Sequence, residues 1–167
     1  MMVLGIDTAL RTTGYGVVCL EEGRFTVRDC GVIANKSSLS HAECLRRIFL
    51  GIKELIDNYH PDAVSMEAAF ANKNIRTTML LSMARGAAAA SAAVCGIPVF
   101  EYSPKTAKRA AVGLGTAAKE QVAAVLAAMC SLEVSRIPND ATDALALAVC
   151  HANIVSRPEL AGLAHIL

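Results

Sequence analysis

The sequence predicts an α/β domain built on a mixed, five-stranded sheet flanked by helices. Three observations carry this. Short apolar runs joined by tight connections fill the chain as far as Ala34, the signature of an antiparallel meander. A long helix-periodic segment comes next. Beyond it, short buried strands alternate with helices, which packs helices onto a partly parallel sheet.

Each element has its own signal. Val3-Leu4-Gly5-Ile6 is the first strand, ending at Asp7; residues 14–20 are the second, and 25–34 the third, after the turn-forming Glu22-Gly23. Leu39, Ala42, Leu45, Ile48, Phe49, Ile52, Leu55 and Ile56 recur at three- and four-residue spacing, so a helix is expected there. Asn58-Tyr59-His60-Pro61 stops it, because proline cannot continue a helix. Residues 62–67 read as a buried strand that ends on an acid, 75–94 as a helix and 97–102 as the last strand. Helices over 104–111, 117–130 and 140–155 complete the chain. No repeat or linker divides it, so one domain over 1–167 is expected.

Composition narrows the class. Apolar residues make up 54% and charged residues 19%, which excludes a disordered chain. Aromatics are only 4% and Trp is absent, so the core must rest on Ala, Leu, Ile, Val and Met. The formal charge is +1, and any case for a nucleic-acid partner must come from where the charges sit. Six scattered cysteines form no C-x-x-C pair, and no basic region precedes the first apolar run; reduced thiols and a cytoplasmic location are expected. The most apolar stretch, 79–100, is interrupted by Arg85 and dominated by alanine, so it reads as helix and strand rather than a membrane span.

Four acids stand where this layout would gather them. Asp7 ends the first strand and Glu67 the fourth, while Asp140 and Asp143 share a face at the start of the last helix. If strands one and four are neighbours, their C-terminal ends bring Asp7 and Glu67 to the crevice where open α/β sheets bind ligands. Each acid alone has a structural use. Asp7 suits a tight turn, Glu67 an exposed strand end, Asp140 a helix N-cap, and Asp143 the positive end of the helix dipole. Asp143 stands out, since the residues after it, Ala144 to Cys150, are apolar all round and therefore buried. Clustered carboxylates repel unless a cation sits between them. Oxygen-only donors suit Mg²⁺ or Mn²⁺, and two such ions can activate a water and stabilise the leaving oxygen of a phosphodiester.

Local charge supplies the second signal. Between residues 72 and 119 lie Lys73, Arg76, Arg85, Lys105, Lys108, Arg109 and Lys119 against the single acid Glu101. A charge run usually marks a solvated face. Here acids are too few to pair with the bases, and a surface for phosphates fits better. Phe70, in the polar stretch after Glu67, either anchors its loop to the core or stacks on an unpaired base.

The residues also resemble a known family. Leu4-Gly5-Ile6-Asp7, Thr13-Gly14-Tyr15-Gly16-Val17, Glu67-Ala68-Ala69-Phe70, Ala84-Arg85-Gly86, Pro98-Val99-Phe100-Glu101-Tyr102 and Asp140-Ala141-Thr142-Asp143-Ala144-Leu145-Ala146 are similar, in order and spacing, to the RuvC family of bacterial Holliday junction resolvases. So is Val112-Gly113-Leu114-Gly115-Thr116-Ala117-Ala118-Lys119. The resemblance implies an RNase H-like fold, a homodimer, and Mg²⁺-dependent paired nicking of four-way DNA junctions alongside the RuvA–RuvB branch-migration machinery. It implies catalytic acids at Asp7, Glu67, Asp140 and Asp143, helpful lysines at Lys108 and Lys119, and a junction-contacting aromatic at Phe70. Thr8-Ala9 stands where the family usually has Pro-Gly, so the turn after the first strand must avoid positive φ.

Three other readings compete. Sugar-kinase and actin-like ATPases share a Gly-Ile-Asp strand end, but need a second phosphate loop and a longer, two-lobed chain. An RNA-processing nuclease of the same superfamily would keep the acids. A junction-binding protein without catalysis would gain nothing from them, since clustered negative charge repels phosphate.

Overall fold

The computed structural model describes residues 1–69, 74–112, 119–130 and 137–167. Its centre is strand β1 (Met2–Asp7), paired antiparallel with β2 (Thr12–Glu21) on one side and parallel with β4 (Ala63–Glu67) on the other. β3 (Arg24–Ala34) completes the meander through a two-residue turn in which Glu22 and Gly23 both take positive φ, the twist a tight hairpin requires. β5 (Val99–Tyr102) continues the parallel half beside β4.

The sheet has six strands, not the expected five. β6 (His165–Ile166) returns antiparallel to β5, giving the order β3-β2-β1-β4-β5-β6. Two residues are too short for an alternation to show in sequence, and only the return of the C-terminal segment makes this strand.

Strand parity divides the core in two. Leu4, Ile6, Val17, Val64 and Met66 face one way, against α1 (His41–Tyr59) and α2 (Ile75–Val94). Ser40 caps α1 by accepting the Glu43 N–H, and the helix ends at His60 in the left-handed region. Ala84, Ala88 and Ala92 form the buried stripe of α2, and their small size lets that helix lie close to α1.

Val3 and Val18 face the other way, against α5 (Asn139–Val155) and α4 (Lys119–Cys130). α3 (Pro104–Val112) and a 3-10 segment (Pro158–Leu163) flank α5. From Ala144 to Ala152 every residue of α5 is buried, as its all-round apolar sequence predicts.

α5 reaches the sheet by backbone contact. A Cβ on Gly5 would collide with the Ala144 carbonyl oxygen, and one on Gly14 with the carbonyl of Asp140. Beside Gly5 in the register, Ser65 donates its hydroxyl to the Leu147 carbonyl at 2.8 Å. Bare glycines and one short polar side chain thus set the height of α5 over β1, β2 and β4.

Further along α5, His151 is buried and packs against Phe100, with its Nδ1 2.7 Å from the Tyr102 hydroxyl. Burial pushes the imidazole down to about 4 and the phenol well up, so two neutral groups share this hydrogen bond. Tyr102→Phe is therefore expected to cost about 1–3 kcal/mol by stranding that nitrogen, measured by urea unfolding at pH 7. The sign of the pH effect follows. Between about pH 6.5 and 4 the unfolded chain binds a proton on His151 that the folded chain refuses, so stability falls as pH falls, by up to about 1.4 kcal/mol per unit. His151→Leu should flatten that slope, and an unchanged slope would refute the assignment.

Candidate active site

The pleat aims the first two acids. Val3, Gly5 and Asp7 alternate onto the face that α5 covers, and so do Ala63, Ser65 and Glu67. Because Ile6 lies opposite Met66 in a parallel pair, Asp7 and Glu67 end adjacent strands at the same level. This is the neighbouring of strands one and four that the sequence required.

Two concave surfaces meet at Glu67. The first, of about 280 Å³, is lined by Asp7, Thr8, Glu67, Thr78, Ser82 and Arg85, with Ala68 and Ala69 at its edge. The second, of about 310 Å³, joins Glu67 to Asp143 between Pro104 and Ala107 of α3 and Ala146 and Leu147 of α5. Glu67 is the shared wall. Asp140 lines neither cleft; its backbone seats against Gly14, the partner of Asp7 across the β1–β2 ladder.

Asp140 is not the N-cap that its position after Pro138-Asn139 suggested. α5 starts one residue earlier, at Asn139, with Pro138 in the cap position and no side-chain cap bond. Asp140 thus falls in the first turn, where its charge favours the helix dipole.

The turn after β1 takes the path expected without glycine. Thr8 and Ala9 have negative φ, and the Thr13 hydroxyl donates to the Ala9 carbonyl at 2.7 Å. Leu10 is buried and anchors the turn to the core.

The donor set suits a hard divalent cation, since Asp7, Glu67 and Asp143 offer carboxylate oxygens and no soft ligand. Among the described residues no three acidic, histidine or cysteine side chains close a cage by themselves. Mg²⁺ does not need one. It takes one or two carboxylates and completes its shell with water and substrate phosphate.

The basic residues separate into groups. Arg85 is turned inward: its side chain is 15% exposed, donating Nε–H to the Glu67 carbonyl at 3.2 Å and pairing with Glu101 at 2.5 Å. It ties α2 to the ends of β4 and β5 in the wall of the first cleft. Arg76, Lys105 and Arg109 are exposed. Phe70 and Lys73 lie outside the described residues. Lys108 belongs to α3 and Lys119 opens α4, but their side chains also lie outside what is described. Sequence reading missed Thr78 and Ser82, although with Arg85 they recur at four and three residues on α2, the spacing of one helix face.

A mixed sheet with carboxylates at adjacent strand ends, facing a helix that brings another, defines an RNase H-like nuclease. The sequence model of the family crossover junction endodeoxyribonuclease RuvC matches residues 3–151, and the chain belongs to that family. The curated relative of this name from Alkaliphilus metalliredigens is 42% identical over 153 residues, covering 92% of this chain and 93% of the relative. That from Chlorobaculum parvum is 43% identical over 150 residues, covering 90% and 80%. The solved structure of Thermus thermophilus RuvC in complex with a Holliday junction substrate superimposes with a TM-score of 0.91 at 30% identity, over 100% of this chain and 99% of that one. The yeast mitochondrial Holliday junction resolvase Ydc2, at 17% identity, shares the fold with a TM-score of 0.67, over 90% of this chain and 77% of that one.

Proposed function

We propose that this chain, acting as one nuclease domain over residues 1–167, resolves four-way DNA junctions by paired, symmetric, Mg²⁺-dependent nicking in recombination and repair. The observation that carries the reading is Glu67 standing as the common wall of two clefts, one completed by Asp7 and the other by Asp143. Family membership and the likeness to a RuvC solved with a Holliday junction support it.

Asp7, Glu67 and Asp143, with Asp140 close by, would hold Mg²⁺, or Mn²⁺ in its place, as two ions per site. Bound there, the ions supply an activated water and stabilise the leaving oxygen. The chain's own residues do the rest. Ala68 and Ala69 line the first cleft with small side chains that leave room for a sugar–phosphate backbone, and Thr8, Thr78 and Ser82 add polar residues to its wall. Arg85 holds the Glu67 end of β4 in position. Lys108 and Lys119, on the family pattern, add positive charge for the scissile phosphate, and Phe70 contacts the junction.

Paired symmetric cuts need two sites related by a two-fold axis, hence a homodimer. α2 offers the surface for it: Ile75, Met79, Met83 and Val94 are exposed there, at 75%, 61%, 46% and 70%. With Gly86 and Ala90 they form one apolar stripe, which a second copy would cover. Met79→Glu combined with Met83→Glu is expected to give a monomer in sedimentation, with single nicks replacing paired ones; a dimer that survives would move the interface elsewhere. Partnership with RuvA–RuvB rests on the family resemblance. A cytoplasmic location suits a DNA-processing role, and among the described residues no helix is long and apolar enough to cross a membrane.

The deciding experiment is cleavage of a synthetic mobile four-way junction with Mg²⁺, beside EDTA, linear duplex and RNA–DNA hybrid. Paired nicks confined to the junction are expected. Binding without nicks would favour a catalytically inactive junction binder, and cutting of the hybrid an RNA-processing role.

A further inference from the structure

α3 separates two concave surfaces. Pro104 and Ala107 line the Glu67–Asp143 cleft on one side. On the other side Lys105 and Arg109 border a pocket of about 300 Å³, where Arg157, just past the end of α5, supplies a third cation. Ile154 and Leu160 form an apolar floor, and Asn153 braces the wall by donating to the Ala110 carbonyl at 3.0 Å. All three cations are exposed, no Asp or Glu lines the pocket, and among the described residues none of the three is in an ion pair. Converging like charges repel, and concave walls concentrate their field on whatever anion enters.

We propose that Lys105, Arg109 and Arg157 form a second phosphate-binding station, which holds the backbone of the junction strand after it has passed over α3 from the catalytic cleft. The proposal rests on the nuclease reading above. Distance favours DNA over a separate acidic partner. A helix is about 10 Å across, so the station lies within a few nucleotides of the cleft. The substrate is thus already within reach. Arg157 is the discriminating residue, because neither the acid cluster nor the basic run between residues 72 and 119 includes it.

The test is junction affinity in EDTA, measured at several salt concentrations with the full chain and with Arg157→Gln and Arg157→Lys. Each phosphate contact contributes about 0.9 to the slope of log affinity against log salt. Arg157→Gln should lower that slope by about one and weaken binding roughly fivefold to tenfold at 0.1 M salt. Arg157→Lys should restore the slope, and both variants should melt with the parent. Equal affinity and slope in Arg157→Gln would overturn the proposal while leaving the nuclease reading intact, even if an acidic peptide then proved to occupy the pocket. A parent chain that fails to bind junctions at all would overturn both.

Discussion

Asp7→Asn is expected to lower junction nicking by about three orders of magnitude or more while leaving junction affinity at or above that of the parent. The substitution keeps the size of the side chain, so the strand end and the turn through Thr8, Ala9 and buried Leu10 retain their packing. What it removes is a charged oxygen from the cleft that Asp7 shares with Glu67. Cation-assisted stabilisation of charge in phosphoryl transfer amounts to several kcal/mol, and each 1.36 kcal/mol is a factor of ten in rate. Loss of about 4 kcal/mol therefore gives about a thousandfold. Binding moves the other way, because one fewer negative charge faces the phosphates. Single-turnover nicking and a binding titration in EDTA separate the two. Nicking within tenfold of the parent would remove Asp7 from the catalytic set, and lost binding would assign it to DNA contact or folding instead.

Gly14→Ala carries the second large effect, and its cause lies in packing rather than chemistry. Gly14 pairs with Asp7, and a methyl group there would occupy the place of the Asp140 carbonyl. Neither backbone can absorb the collision, so the first turn of α5 must lift from β2. Overpacking of this kind costs about 1–3 kcal/mol. The functional loss is larger in proportion, because the lifted turn carries Asp140 and leads into Asp143. A displacement near 1 Å in a catalytic group costs about a hundredfold in rate. A chain that melts several degrees lower, binds junctions normally and nicks them about a hundredfold more slowly is the expected outcome. Parent-like nicking would mean that α5 tolerates the shift, and that the acids do not depend on the glycine contact.

Much of this architecture was legible residue by residue. The second strand, read as 14–20, spans Thr12–Glu21, and the third, read as 25–34, spans Arg24–Ala34. Each stood out as a run rich in β-branched and apolar residues, and Glu22-Gly23 marked the hairpin. α2 runs over the expected residues, Ile75–Val94. Strand-end acids were conspicuous because each closes an apolar run. β6 was not legible, since a two-residue strand has no period. Nor was the fate of Arg85, which counted toward the basic surface until the fold set it between the Glu67 carbonyl and Glu101.

The sequence by itself determined the longer elements, the identity of the acids and their position at element ends, because periodicity, chain-breaking residues and charge are local properties. Only the tertiary structure decided that Glu67 walls two clefts, that Asp140 lines neither, and that Arg157 joins Lys105 and Arg109 across the back of α3. Those outcomes depend on strand register and on the height of α5 above the sheet. Both are set by contacts between residues far apart in the chain: Gly5 beneath Ala144, Gly14 beneath Asp140, and Ser65 bonded to Leu147. A period read within one segment carries no record of the surface that segment will meet.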